Sequence, residues 1–293
     1  MSFEGLVAFS ATDNESRRNC KRTMRVRVEK VLSAFGLEYN KTMKAMKEHG
    51  AIISGSSALR VLFAEGFEPG DIDFYVGREG SAGFQAWIES ESMYREDVGK
   101  PPTEPDDWYS AGRHGIREVK WLKESETGKK MNVVTTQDVC PISVILQFYT
   151  TLSMNIISWA GVGCAYPSLT TKRIGVLVGR ELAENRRVQR RIQKAAERGF
   201  LIVSTWKDDA VTEALGPHQC LKGRTCPRGA RNMRTNRGLL CMVLDEGKEG
   251  EMQKMMPNVS WMMMGGEDCG DEHDSIRVST RRHRLGAFVS IKA

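Results

Sequence analysis

Asp71 and Asp73 stand one residue apart at the head of the run Asp71-Ile72-Asp73-Phe74-Tyr75-Val76. In an extended strand, residues i and i+2 point to the same face, so the two carboxylates lie side by side. Two anions that close repel unless a cation sits between them. A hard divalent ion such as Mg²⁺ (or Mn²⁺) accepts one or two carboxylates together with phosphate oxygens. Upstream, Ser54-Gly55-Ser56-Ser57 follows the apolar run Ala51-Ile52-Ile53. Glycine lets the backbone approach a ligand closely. The amides that open the next helix, with the Ser56 and Ser57 hydroxyls, can hold a phosphate. A triphosphate held between turn and metal would present its α-phosphorus for in-line attack. Each half also fits plain architecture. Gly-Ser-Ser before a helix is ordinary capping, and Asp-x-Asp after Pro69-Gly70 can cap a turn.

The order of these parts resembles the nucleotidyltransferase superfamily to which DNA polymerase β belongs. Its signature is an apolar residue, Gly, then Gly or Ser, a spacer, then Asp, an apolar residue, and Asp or Glu. Here Ser54-Gly55-Ser56 is followed by fourteen residues and then Asp71-Ile72-Asp73-Phe74. Ala58-Leu59-Arg60-Val61-Leu62 takes the place of the family's short helix. The likeness covers residues 40–135, under half of the chain. It implies that Gly55, Ser56 and Ser57 bind nucleotide, and that Asp71 and Asp73 bind Mg²⁺ and serve catalysis. The implied reaction moves NMP from an NTP to a hydroxyl on RNA, a protein or a small molecule.

The family also carries a third carboxylate on a later strand, where it binds metal and helps activate the attacking hydroxyl. In this chain the matching strand is Lys130-Met131-Asn132-Val133-Val134, and the expected acid is Asn132. An amide offers a carbonyl oxygen to a metal but no charge, and it takes no proton. Two readings follow. Either Glu118, on the partner strand, completes the site, or the protein keeps the pocket with transfer weakened or lost and acts as a nucleotide- or partner-binding module. A third reading is an α+β interaction protein whose aspartates only cap a turn.

The elements that must position these residues are legible from periodicity. Residues 1–16 read as a poorly ordered start. The basic run 17–30 leads into a helix through Val28, Val31, Leu32 and Phe35, stopped by Gly36. A second helix spans 39–48 and closes at Gly50. Strand 51–53, helix 58–65, strand 71–76 and helix 82–95 follow. Strands 116–122 and 130–135 form a hairpin around Glu126-Thr127-Gly128. From 138 to 160 the period is helical again, with Asn155 inside it, and an Arg-rich helix spans 180–198. That helix could meet a phosphate backbone through Arg180, Arg186, Arg187, Arg190, Arg191 and Lys194, or present a solvated face. The implied fold is α+β: a nucleotidyltransferase-like mixed β-sheet flanked by helices, then a helical segment, then a small Cys-containing C-terminal region. The expected units are 1–137, 138–205 and 206–293.

Composition narrows the class without choosing the acceptor. Lys plus Arg is 43 and Asp plus Glu is 37, for a net charge of +6, which permits a nucleic-acid or protein partner and requires none. No charge falls between Val139 and Thr171, but Ser143, Gln147, Thr150, Thr151, Ser153, Asn155 and Ser158 interrupt the stretch, so no membrane span is expected. Seven cysteines, an odd count, with no secretory segment point to an intracellular, cytoplasmic or nuclear protein. The best set for Zn²⁺ is Cys220, Cys226, Cys269 and His273, against the alternative of buried metal-free thiols.

Overall fold

The structure, a computed structural model, describes residues 1–97, 114–218, 226, 229–234, 239–245, 259–264, 275–280 and 289–290. Its first helix, α1 (Phe3–Phe9), replaces the expected poorly ordered start. Ser2 accepts a hydrogen bond from the Gly5 amide, and Phe3 and Leu6 are buried. Helix α2 (Asn14–Ala34) begins at Asp13, which accepts from the Ser16 amide, and buries Cys20, Met24, Val28, Val31 and Leu32. That spacing of three and four keeps one face apolar and leaves Arg17, Arg18, Arg22 and Lys30 outward, while Lys21 is buried. Helix α3 (Tyr39–His49) is capped by Glu38 and ends at Gly50, whose φ of 66° suits a left-handed C-terminal residue.

Next come β1 (Ile52–Ser54), α4 (Gly55–Val61), β2 (Asp71–Gly77), α5 (Ser81–Glu91), β3 (Tyr94–Glu96), β4 (Ile116–Glu124) and β5 (Lys130–Thr136). Helix α4 starts three residues earlier than the sequence predicts, directly on the strand it leaves. The stretch from 138 to 160 differs more from expectation. It holds only α6 (Ile142–Ile145), a single 3-10 turn at Thr151–Ser153, and β6 (Asn155–Ile157), and β7 (Gly161–Cys164) follows. Asn155 is therefore a strand residue. Beyond lie α7 (Pro167–Thr170), β8 (Ile174–Val176), α8 (Arg186–Glu197), β9 (Leu201–Val203) and α9 (Asp209–Leu215). The C-terminal strands are β10 (Arg231–Asn232), β11 (Leu240–Val243), β12 (Val259–Met264), β13 (Ser275–Thr280) and β14 (Val289–Ser290).

The class is α+β, with a central mixed sheet in the order β11-β7-β6-β1-β2-β5-β4-β3. Within it β2 and β5 run parallel and the other neighbours antiparallel. This sheet takes strands from all three expected units, because β6 pairs with β1 and β11 pairs with β7. A smaller sheet, β10-β12-β13-β14, shares no strand with it, and β8 pairs with β9 in parallel. One face of the central sheet packs on α5, where Phe74 meets Phe84 at 5.1 Å and Ser81 bonds Thr135. The other face carries Asp71, Asp73 and Tyr75, and Tyr75 meets Phe148 at 5.7 Å. Among the described residues no helix is long and apolar enough to cross a membrane.

Candidate functional site

Register places the two aspartates. Ser54 pairs with Asp73 across β1–β2, and Asp73 pairs with Asn132 across β2–β5. Ser54 is fully buried, and its hydroxyl donates to the Asn155 carbonyl at 2.6 Å, which fixes the end of β1 against β6. The chain then turns at Gly55, with φ at 69°. A side chain there would have its Cβ 2.7 Å from Asp73 Oδ2, so the turn passes directly over that carboxylate. Only glycine meets both demands without strain.

The turn's two serines differ in role. The Ser57 hydroxyl donates to the Asp71 carbonyl at 2.9 Å and so ties the start of α4 to β2. It does not line the cleft beside Gly55 and Asp73. The Ser56 hydroxyl does face that cleft, is buried, and has no hydrogen-bond partner among the described residues. A buried polar atom left unpaired is costly, and a ligand oxygen would satisfy it.

Asn132 is 3% exposed and donates its amide to Asp73 Oδ1 at 2.6 Å. The side chain at the third-acid position therefore holds a carboxylate rather than adding one. Glu118 does not join the group. It pairs with Thr135, three positions along from Asn132, so it lies on the opposite face of the sheet and about 10 Å along the strand. The β4 residue level with Asn132 is Trp121.

Across from the aspartates stands a cationic wall that the sequence reading located only in part. A cleft of about 210 Å³ is lined by Gly55, Ser56, Asp71 and Asp73 on one side, and by Arg191, Lys194 and Arg198 on the other. Arg191 and Lys194 belong to α8, and Arg198 caps its C-terminus. Arg187, Arg191, Lys194 and Arg198 recur every three or four residues, which is a signal of one helix face. Phe148, Leu152, Phe200 and Ile202 supply the apolar part of the lining.

Burial lowers the Arg198 pKa from its ordinary value, and the charge of Asp71 works against that. Burial raises the Tyr149 phenol, opposed by the charges of Arg191 and Arg198. Arg191 lies 5.4 Å from the centre of the Tyr149 ring, and Arg198 lies 4.2 Å from that of Phe67. These contacts hold the guanidinium groups by their faces. The Asp71 side chain makes no hydrogen bond or ion pair among the described residues.

The residues fit one divalent ion better than two. Asp71 and Asp73 share a face, which matches the one or two carboxylates that Mg²⁺ uses beside phosphate oxygens. A two-metal arrangement needs further anionic ligands. Among the described residues no cluster of three or more His, Cys, Asp or Glu is placed to hold a metal. Of the expected zinc set, Cys226 is buried, while Cys220, Cys269 and His273 lie outside the described residues. Two thiols are poor nucleophiles, since burial pushes Cys164 in β7 up to about 12 and Cys140, between β5 and α6, up to about 11.

No protein-family model matches the sequence, and no curated protein is similar to it. Solved structures show a remote likeness. One is a tRNA-processing enzyme in an apo form, 14% identical, covering 59% of this chain and 44% of that one, with a TM-score of 0.37. Another is a CCA-adding enzyme from Thermotoga maritima complexed with tRNA, 11% identical, covering 73% of this chain and 45% of that one, with a TM-score of 0.38. The chain spans under half the length of either structure.

Proposed function

We propose that the cleft is a nucleotidyltransferase site, passing NMP from an NTP to a hydroxyl acceptor. The observation that carries this reading is the facing of two like-sided carboxylates and three cations across one small cleft. A triphosphate is the ligand that answers both walls. Its phosphates meet Arg191, Lys194 and Arg198, and accept from the otherwise unpaired Ser56 hydroxyl. Asp71 and Asp73 would hold Mg²⁺, or Mn²⁺ in its place, which supplies charge neutralisation at the phosphates when bound. Asn132 holds Asp73 through Oδ1, and Oδ2 faces the turn. In the transfer, the acceptor hydroxyl loses its proton to water, its oxygen bonds to the α-phosphorus, the bond from that phosphorus to the bridging oxygen of the β-phosphate breaks, and pyrophosphate leaves. With no third acid beside Asp73 among the described residues, the cations of α8 and its C-terminal cap carry more of the developing charge than they would in a two-metal site.

A second reading has its own support. The same absence of a third acid favours a protein that binds nucleotide, or a partner, without transfer. One experiment separates the two. The full chain is incubated with α-labelled ATP and the other NTPs, Mg²⁺, and a set of RNA, protein and small-molecule acceptors. The transferase reading expects labelled acceptor, reduced at least a hundredfold in an Asp71→Ala, Asp73→Ala variant, with Asn132→Asp lowering the Mg²⁺ needed for half-maximal rate. Saturable, Mg²⁺-dependent ATP binding that the Asp71→Ala, Asp73→Ala variant loses, with no label transferred by wild type or Asn132→Asp, leaves the binding module standing and removes the enzyme.

A further inference from the structure

We propose that a cavity between α2 and the C-terminal end of α4 is a second anion site, built for a compact polyphosphate ligand of nucleotide size. The basic run at 17–30 takes no part in the cleft at Asp71, yet its outward face converges on a space of about 580 Å³. Arg22, Arg27, Lys30 and Arg60 line it, with Glu68 as the acid in the wall. That volume lies in the range of small-molecule pockets.

Two of the four cations are fixed in place by backbone carbonyls. Arg27 Nη2 donates to the Met1 carbonyl at 2.7 Å, and Nη1 reaches the carbonyls of Val61 and Leu62 at 3.4 Å. Those last two carbonyls end α4, where positive charge is favoured. Arg60 Nη1 donates to the Phe63 carbonyl at 2.9 Å, and its other nitrogen comes only within 4.0 Å of the exposed Glu68. Burial and the neighbouring charge of Arg60 both lower the Arg27 pKa. Two guanidinium groups held close enough to disfavour each other are what an anion between them relieves. The exposed heads of Arg22 and Lys30 complete the ring and make no ion pair among the described residues.

The floor is apolar where the rim is charged. Val26, 38% exposed, and Ala64 line the same space. They suit the organic part of a ligand whose phosphates meet the arginine forks. Four cations gathered on one concavity favour a compact polyanion over an extended strand. Helix α4 separates the two sites: Gly55 and Ser56 open it at the cleft, Arg60 and Val61 end it at this cavity, and seven residues span about 10 Å.

The test uses the full wild-type chain in EDTA, where Asp71 and Asp73 repel polyphosphate from the cleft. Equilibrium dialysis with inorganic tripolyphosphate and with ATP, at fixed low salt, is expected to show one saturable equivalent of each, with ATP the tighter. Arg22→Ala with Lys30→Ala weakens both at least tenfold. Val26→Ser weakens ATP alone. Absence of saturable binding, or affinity indifferent to Arg22 and Lys30, overturns the proposal. So does a tenfold loss in Arg191→Ala, which would put the anion in the cleft. Tighter binding of a single-stranded oligoribonucleotide through the same Arg22 and Lys30 would make this an extended nucleic-acid surface and overturn it equally.

Discussion

At Gly55 one missing methyl group decides the geometry of the acid beside it. A Gly55→Ala chain must place a Cβ at a left-handed φ and within 2.7 Å of Asp73 Oδ2. The backbone part of that strain costs about 1–2 kcal/mol for an L-residue. The steric part has to be met by moving Asp73 away from the hydrogen bond that Asn132 makes to it. Gly55→Ala is therefore expected to lose about 1–2 kcal/mol in urea unfolding while cutting nucleotide affinity or transfer at least tenfold. Unchanged affinity with the stability loss alone would show that Asp73 does not touch the ligand. Gly55, Ser56, Asp71 and Asp73 were legible from sequence because a strand period and a small-residue turn suffice to bring them together. Ser57 was not, because α4 starts at Gly55 and so aims that hydroxyl at the Asp71 carbonyl. Glu118 needed the hairpin register. Glu124 and Lys129 close a turn over 125–128, which sets Trp121, not Glu118, opposite Asn132.

Among the elements, α2 and α3 each start on a carboxylate cap. Asp13 accepts from the Ser16 amide and hydroxyl, and Glu38 accepts from the Asn40 and Lys41 amides. Hydrogen bonds, from Ser16 side chain and amide to Asp13 and from the Asn40 and Lys41 amides to Glu38, lower both pKa values from the ordinary range. A group whose folded pKa lies below its unfolded one stabilises the fold above the unfolded value, and the contribution is lost as pH falls through the folded value. Asp13→Ala and Glu38→Ala should thus melt below wild type at neutral pH. The gap in Tm should close as pH falls from about 5 to about 3, followed by circular dichroism. A gap that persists at the acid end would mean that the lost side chain acted through packing instead. Gly36 and Gly50 were legible as the stops of these helices, whereas the Asp13 cap falls in the stretch read as poorly ordered. The segment from 138 to 160 was not. A buried apolar run fits a short strand or a helix equally well by periodicity, and Ile156, Ile157, Gly161 and Gly163 were the β-branched and glycine signals that favoured strands.

For the molecule as a whole, the sheet runs through the expected boundaries at 137 and 205, and that continuity has a thermodynamic consequence. Residues 1–137 supply β1 to β5, but β1 is an interior strand only because β6 lies against it. Cutting after 137 removes the Ile53–Ile157 pairing and the hydrogen bond from Ser54 to the Asn155 carbonyl. It also removes the Phe148 ring from Tyr75, and all three cations from the cleft. The buried face bearing Ile52 and Tyr75 would meet water, and an apolar strand edge left open is prone to pairing with other chains. A fragment 1–137 expressed alone is therefore expected to aggregate or to give a poorly dispersed proton spectrum. In the full chain, the Ile53 and Ile157 amides should exchange with deuterium through one shared global opening, with equal free energies. A dispersed spectrum of 1–137 with a slowly exchanging Ile53 amide would make the first 137 residues a domain in their own right. The cleft would then be an interface between two folding units, and the cations of α8 would reach the carboxylates only when those units dock.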